Sequence, residues 1–330
     1  MYGHGSGGGG RGGSVNLQHP STFQTLALDP ELKKEIIDDL DRFVKRRDFY
    51  TKVGKAWKRG YLLYGPPGTG KSSLVAAMAN YLNFDVYDLE LTTIRSNSQL
   101  RSVMLGTKNR SILLIEDIDC SAEMHDRSKV EHQYDEYGRS YPVKGRNTEL
   151  TLSGLLNFID GIWSSCGDER IIVFTTNHKD KLDPALLRPG RMDKHIHMSY
   201  ITPPGFRILA SNYLSVDEHQ LFGEIEELIQ DSETTPAEVA EELMKSDDAD
   251  VSLNGLVEFL KKKILEAKQL KEQEEAQKKL MDEEAEKEPK EEKDQKETKD
   301  GGEPKRIQST DRYCPKCGSS KPMRRMGGLI

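Results

Sequence analysis

At 330 residues the chain is long enough for two domains, but a hydrophobic fraction of 35% and a mean hydropathy of −0.69 leave too little apolar material to pack all of it. A formal net charge of −7 excludes a general electrostatic pull toward nucleic acid, and four cysteines are too sparse for a disulfide scaffold and suit a reducing compartment. No apolar run approaches the ~20 residues of a membrane-spanning helix. The N-terminus has neither signal-peptide nor transit-peptide character, so the chain reads as soluble.

Residues 1–20 form a glycine-rich leader that cannot bury enough apolar area to order itself. Asp29-Pro30-Glu31 then supplies an N-cap, a first-turn proline and a first-turn acid. Leu32, Ile36, Leu40, Phe43 and Val44 follow at helical spacing to about Arg47. The basic cluster Arg42, Lys45, Arg46 and Arg47 complements the negative end of that helix. Tyr61–Tyr64 is a short buried-type strand and Ser73–Leu82 a helix, with Gly65-Pro66-Pro67-Gly68-Thr69-Gly70-Lys71-Ser72 between them. This is the pattern G-x-x-x-x-G-K-[ST] in the strand–loop–helix setting it requires.

Further along, Val86–Leu91 is a strand, Ile94–Leu105 a helix and Ile112–Ile115 a strand covered on both faces. Ser121–Arg146 is a polar insertion loop with interspersed tyrosines. A helical stripe runs from Leu152 through Leu155, Leu156 and Ile159 to Trp163, then come the strands Ile171–Thr175 and His195–Met198. His195 and His197 alternate on the last, as half-exposed edge residues. Strands alternating with helices over 21–202 predict an α/β fold: a P-loop NTPase domain whose parallel sheet is flanked by helices. Four helices over 203–265 (Arg207–Leu214, Gln220–Gln230, Pro236–Lys245 and Leu253–Leu265) predict a small all-helical lid domain, with a cap at Thr235-Pro236-Ala237-Glu238. Residues 266–310 read as a charged tail or solvated helix stopped near Pro289, and 311–330 as a tail carrying Cys314 and Cys317. That pair is half of a zinc ribbon without a second half nearby, so it reads as incidental thiols.

The glycine loop fits a nucleoside triphosphate. Its backbone N–H groups and the following helix N-terminus face phosphate oxygens, Lys71 reaches the β- and γ-phosphates, and Ser72 can ligate Mg²⁺. Gly65, Pro66, Pro67, Gly68, Thr69, Gly70, Lys71, Ser72 and Ser73 are therefore the expected nucleotide-binding residues. Glu116-Asp117 ends the strand Ile112–Ile115, where one carboxylate can hold the metal's hydration shell and its neighbour can orient water. Asn177 ends the strand Ile171–Thr175, where its amide can bond both water and a γ-phosphate oxygen. In Asp183–Asp193, Asp183-Pro184 begins a short helix that Pro189-Gly190 ends, holding Arg188 and Arg191 close together.

These four motifs, in this order and spacing, resemble the AAA family of ATPases. Thr151–Gly161 and Gly167–His178 look more narrowly like the plant AAA-ATPases related to the mitochondrial complex III assembly chaperone. The resemblance implies Walker A roles for Lys71 and Ser72, and a first-sensor role for Asn177. It makes Arg188 and Arg191 fingers that reach a neighbouring subunit's ATP in a homo-oligomer, a hexamer or heptamer. Walker B is reversed to Glu116-Asp117, so Glu116 serves Mg²⁺ through water and Asp117, alone or helped by Asp119, polarises the attacking water. Thr92–Lys108 lacks the aromatic–apolar–glycine pore loop of peptide-threading relatives, which favours remodelling or passage of folded clients. Such relatives sit on mitochondrial or endoplasmic-reticulum membranes and carry an N-terminal anchor and a subfamily domain. Here a glycine-rich leader precedes His19-Pro20, as in a truncated or divergent chain.

The reading is a Mg²⁺-dependent ATP hydrolase coupled to a protein client, with ATP in the cleft between the α/β domain and its lid. A nucleotide-dependent assembly scaffold with negligible hydrolysis is the alternative. A nucleic-acid motor conflicts with the acidic balance, and a small-molecule kinase with the paired arginines.

Overall fold

The computed structural model describes residues 19–94, 96–119, 132–134, 140–142, 152–160 and 169–294. Trp163, Gly161, Gly167, Cys314, Cys317, the leader before His19, most of the insertion loop Ser121–Arg146 and the charged tail after Asp294 lie outside them. Among the described residues, those up to Lys268 form one compact unit and those from Gln269 on another.

In the first unit α1 (Pro30–Val44) starts where expected: the Asp29 carboxylate accepts hydrogen bonds from the N–H groups of Glu31 and Leu32. Such a cap is worth about 1 kcal/mol. A short α2 (Arg47–Lys52) leads into β1 (Lys58–Tyr64), and the glycine loop leads into α3 (Lys71–Leu82). There follow β2 (Asp85–Asp88), α4 (Asn97–Leu105), β3 (Ser111–Ile115), β4 (His132–Tyr134), β5 (Ser140–Pro142), α5 (Leu152–Asp160), β6 (Arg170–Thr176) and β7 (Lys194–His197).

Five of these strands form one sheet in the order β2-β3-β6-β1-β7, all parallel. Side chains alternate between its two faces, as strand geometry demands. Tyr61, Leu63, Ile112, Leu114, Ile171 and Val173 join α1 and α3 residues such as Ile36, Leu40 and Met78 in one core. Leu62, Leu113, Ile115, Ile172 and Phe174 join Leu100 of α4 and Leu155 and Ile159 of α5 in the other. A buried polar knot fastens α1 to β1. Asp39 accepts two hydrogen bonds from Arg59, at 3.1 and 2.9 Å, and one from the Tyr61 hydroxyl at 2.7 Å.

Four expectations change. The second strand stops at Asp88, with a single 3₁₀ turn at Leu91–Thr93, and α4 begins at Asn97 rather than Ile94. The insertion loop contains an antiparallel hairpin, β4 against β5, consistent with the strand propensity of tyrosine. No helix forms after Asp183: the segment is a succession of turns. There the Asp183 carboxylate draws in the Ala185 N–H at 2.7 Å, and Asp193 accepts from the N–H of Gly190 and of Gly60, both at 2.9 Å. Side-chain bonds of this kind compete with helical ones.

The lid consists of α6 (Pro203–Leu214), α7 (Phe222–Gln230), α8 (Pro236–Leu243) and the start of α9 (Ala249–Asp294) around Phe206, Ile225, Val239, Leu256 and Leu260. The fourth correction is that α9 passes through Pro289 instead of stopping there. The strong helix propensity of its Glu, Lys and Gln residues outweighs one missing hydrogen bond. Within the second unit, Gln269–Asp294 is the helical part described. Among the described residues no helix is long and apolar enough to cross a membrane.

Candidate functional site

Because the strands are parallel and in register, their C-terminal ends share one edge. Tyr64 of β1 lies opposite Thr176 of β6, and Ile115 of β3 opposite Phe174 of β6. The residue that follows each strand is therefore delivered to the same place, the crevice where open α/β sheets bind ligands. Gly65 leaves β1 at φ 142, and a Cβ there would meet the Met198 carbonyl oxygen at 2.0 Å, so only glycine fits.

Lys71 is the first residue of α3, whose N-cap, Gly70 (φ 89), offers no side-chain acceptor; the helix's first N–H groups remain available to an anion. The Lys71 ammonium donates to the carbonyls of Gly65 (2.8 Å) and Pro66 (2.9 Å) and to Asn177 Oδ1 (2.8 Å). Burial lowers its pKa, opposed by the charges of Asp117, Asp119 and Glu116. Ser72 Oγ donates to Glu116 Oε1 at 2.7 Å, and Asn177 Nδ2 is 3.5 Å from Asp117 Oδ1. Asp117, exposed and at φ 46, has its N–H held by Thr175 Oγ1 at 3.1 Å. Asp119 instead accepts the Thr176 hydroxyl at 2.7 Å.

The structure thus brings Lys71, Ser72, Glu116, Asp117 and Asn177 together. Mg²⁺ takes oxygen ligands, keeps several waters and needs one or two protein oxygens beside phosphate. The hydroxyl of Ser72 and the carboxylate of Glu116 fit that requirement.

Two cavities flank the loop. One, of about 910 Å³, is bordered by Pro66, Pro67, Asn177 and Leu187, and includes Tyr64 and His197. The Tyr64 ring stacks on His197 at 5.0 Å and lies under the Lys179 ammonium at 4.3 Å. His195 and His197 are both exposed on the edge strand β7, as expected. The other cavity, of about 590 Å³, is bordered by Ala27, Leu28, Thr69, Ser73, Met198 and Tyr213. Its wall includes the segment from His19 to Leu28, which the sequence did not mark as part of a site. Ser21 Oγ bonds the Ser73 carbonyl at 3.0 Å, and Asn80 and Asn212 bond the carbonyls of Ser21 and Thr25. Asp88, at the same sheet edge, was also missed. Asp88 is exposed, and partial desolvation followed by the charge of Glu116 raises its carboxyl pKa.

The two arginines have different surroundings. Arg191 is half-buried, donating from Nε to Asp160 and from Nη1 to the Ala185 carbonyl, each at 2.5 Å. Asp160 also pairs with Lys58 at 3.7 Å. Arg188 is exposed, and its carbonyl accepts the N–H of Arg191 at 3.1 Å.

Residues 61–200 match the family described as ATPase family associated with various cellular activities (AAA), and residues 201–279 the At3g28540-like AAA+ ATPase lid domain. The chain is 65% identical over 250 residues to AAA-ATPase At3g50940 of Arabidopsis thaliana, covering 76% of this chain and 53% of that protein. It is 64% identical over 264 residues to Protein HYPER-SENSITIVITY-RELATED 4 of the same plant, covering 80% and 45%. To AAA-ATPase At2g18193 it is 64% identical over 267 residues, covering 80% and 52%. The chain therefore spans about half the length of these relatives. Through its α/β domain and the lid that follows, it belongs to the AAA ATPase family.

Proposed function

We propose that this chain binds ATP with Mg²⁺ and hydrolyses it, and that it does so in a homo-oligomer that remodels or translocates a protein client. The observation that carries the catalytic half is the contact set at the sheet edge. Lys71 to Asn177 at 2.8 Å and Ser72 to Glu116 at 2.7 Å join three strand ends into one oxygen- and ammonium-lined site beside a glycine loop.

In this reading the triphosphate lies along Gly65–Ser73 and exchanges for the carbonyl oxygens that now occupy Lys71. The purine enters the cavity between Ala27–Leu28 and the lid, which is apolar at Met198 and Leu209. Bound Mg²⁺ would screen phosphate charge and orient the γ-phosphate. Asn177 holds its amide oxygen toward Lys71 and its nitrogen toward Asp117, so it can report the γ-phosphate to the carboxylate that aligns water. Asp117 is one methylene shorter than glutamate and must act from close range. Arg188 is the exposed cation suited to a neighbour's ATP, whereas Arg191 shapes the turn that presents it. A ring of six or seven subunits and a folded client follow from family resemblance.

The test is nucleotide binding and phosphate release by the purified chain. Lys71→Ala should weaken binding by at least about 100-fold, and Asp117→Asn should keep binding and lower turnover. The exposed, positive-φ setting of Asp117 favours one rival, a scaffold that binds ATP without cutting it. Absence of phosphate release from an assembled, nucleotide-loaded wild type would decide for that rival.

A further inference from the structure

The lid meets the phosphate loop at the start of α8. The Ala237 N–H, at the start of α8, donates to the Gly68 carbonyl at 3.1 Å. Gly68 has φ 78, and a Cβ on it would come within 3.2 Å of both the Ala237 Cβ and the Thr235 hydroxyl. The Gly68 backbone and the first turn of α8 are therefore in direct contact, through a hydrogen bond and close packing.

That first turn is held by a single carboxylate. Glu238 Oε2 accepts from the Thr235 N–H at 2.7 Å and from its hydroxyl at 2.9 Å, while Thr235 Oγ1 accepts the Glu238 N–H at 3.3 Å. This is a reciprocal capping box. The other oxygen, Glu238 Oε1, receives the Lys263 ammonium from α9 at 2.6 Å, with Lys263 26% exposed and Glu238 37%. Burial pushes the Glu238 carboxyl up, but the bonds from Lys263 and Thr235 outweigh it and hold the group below its ordinary range. Chain connectivity alone does not require the link: Lys263 is 25 residues from Glu238.

We propose that Glu238 and Lys263 are positioning residues for the nucleotide site, acting as a pair that clamps α8 between Gly68 and α9. The conformation of the phosphate loop and the seating of α8 on α9 are then one equilibrium, and nucleotide affinity reads the state of α9. The inference rests on the reading of the loop as an ATP site.

The test is calorimetric titration of the full chain with Mg·ATP and Mg·ADP, alongside melting temperatures and steady-state turnover. Glu238→Gln keeps an acceptor for Thr235 and removes the charge facing Lys263, so the start of α8 stays capped. Lys263→Met removes the other partner. Each should weaken binding by about fivefold, with KM rising and kcat held. The double variant should be no weaker than either single by more than about twofold, as expected of one shared interaction. Lys263→Arg should recover most of the affinity. Lys245→Met breaks an ion pair of the same 2.6 Å length on the far end of α8 and should leave affinity unchanged. Wild-type affinity in both Glu238→Gln and Lys263→Met, with only the melting temperature lowered, would overturn the inference and leave the ATP reading intact. Failure of the wild type to bind either nucleotide would remove both.

Discussion

The sheet edge and the arginine turn are both made of charged residues, but they are built on opposite principles. At the edge, Lys71, Ser72, Glu116, Asp117 and Asn177 come from three strand ends and contact one another within a single chain. In the turn, Arg191 is consumed by Asp160 and a carbonyl, and Arg188, three residues before it, points to solvent. A site that closes on itself can bind; Arg188, exposed and with no ion pair among the described residues, is suited to act on something brought to it. Binding and turnover should therefore separate by location.

The largest expected effect breaks the comparison at the turn. Arg188→Ala should lower turnover by about 10³-fold, the scale of an arginine acting in trans, while nucleotide affinity and melting temperature stay at wild-type values. Equal turnover in this variant and the wild type, measured on the assembled species, would remove the turn from the mechanism. Next, Lys71→Ala should cost at least about 100-fold in ATP affinity through loss of charge-assisted bonds to phosphate, seen by calorimetry. It should not reduce thermal stability, because its present partners are two carbonyls and an amide that a triphosphate would displace.

A smaller effect should tell the two arginines apart. Arg191→Ala opens the Asp160 contact that its half-buried guanidinium makes, and should lower unfolding free energy by about 1–2 kcal/mol, discounted for the partial exposure of Asp160. Denaturant melts of Arg188→Ala and Arg191→Ala side by side would show the contrast. The smallest effect is in pH. Burial lowers the Lys71 pKa below the ordinary lysine value, and only the cation attracts phosphate. ATP affinity should therefore be full below that lowered pKa and decline a few-fold as pH rises through it, before an unperturbed lysine would deprotonate. An affinity flat across that alkaline range would contradict it.

Legibility followed contiguity. The glycine loop was readable because its eight residues are consecutive and the role proposed for them uses mainly their own backbone. The α1 cap and the Thr235–Glu238 box were readable for the same reason, each being complete within four residues. The turn at Asp183–Asp193 was misread as a helix because Asp183-Pro184 is a genuine helix-start pattern. What prevents the helix includes a bond from the N–H of Gly60, a residue of another strand, to Asp193. Asp88 escaped notice because nothing in its own neighbourhood marks it; only the pairing of β2 with β3 brings it to the charge of Glu116.

By itself, then, the order of residues determined the α/β-then-helical layout, the phosphate loop and the identity of each strand-end side chain, since period, propensity and backbone chemistry act over a few neighbours. Tertiary structure decided which ends meet. It inserted β6 between β1 and β3 so that Asn177 bridges Lys71 and Asp117, turned Arg191 inward and Arg188 outward, and set Ala237 on Gly68. Those outcomes depend on strand order and on contacts between residues tens to more than a hundred positions apart, which local sequence rules do not specify.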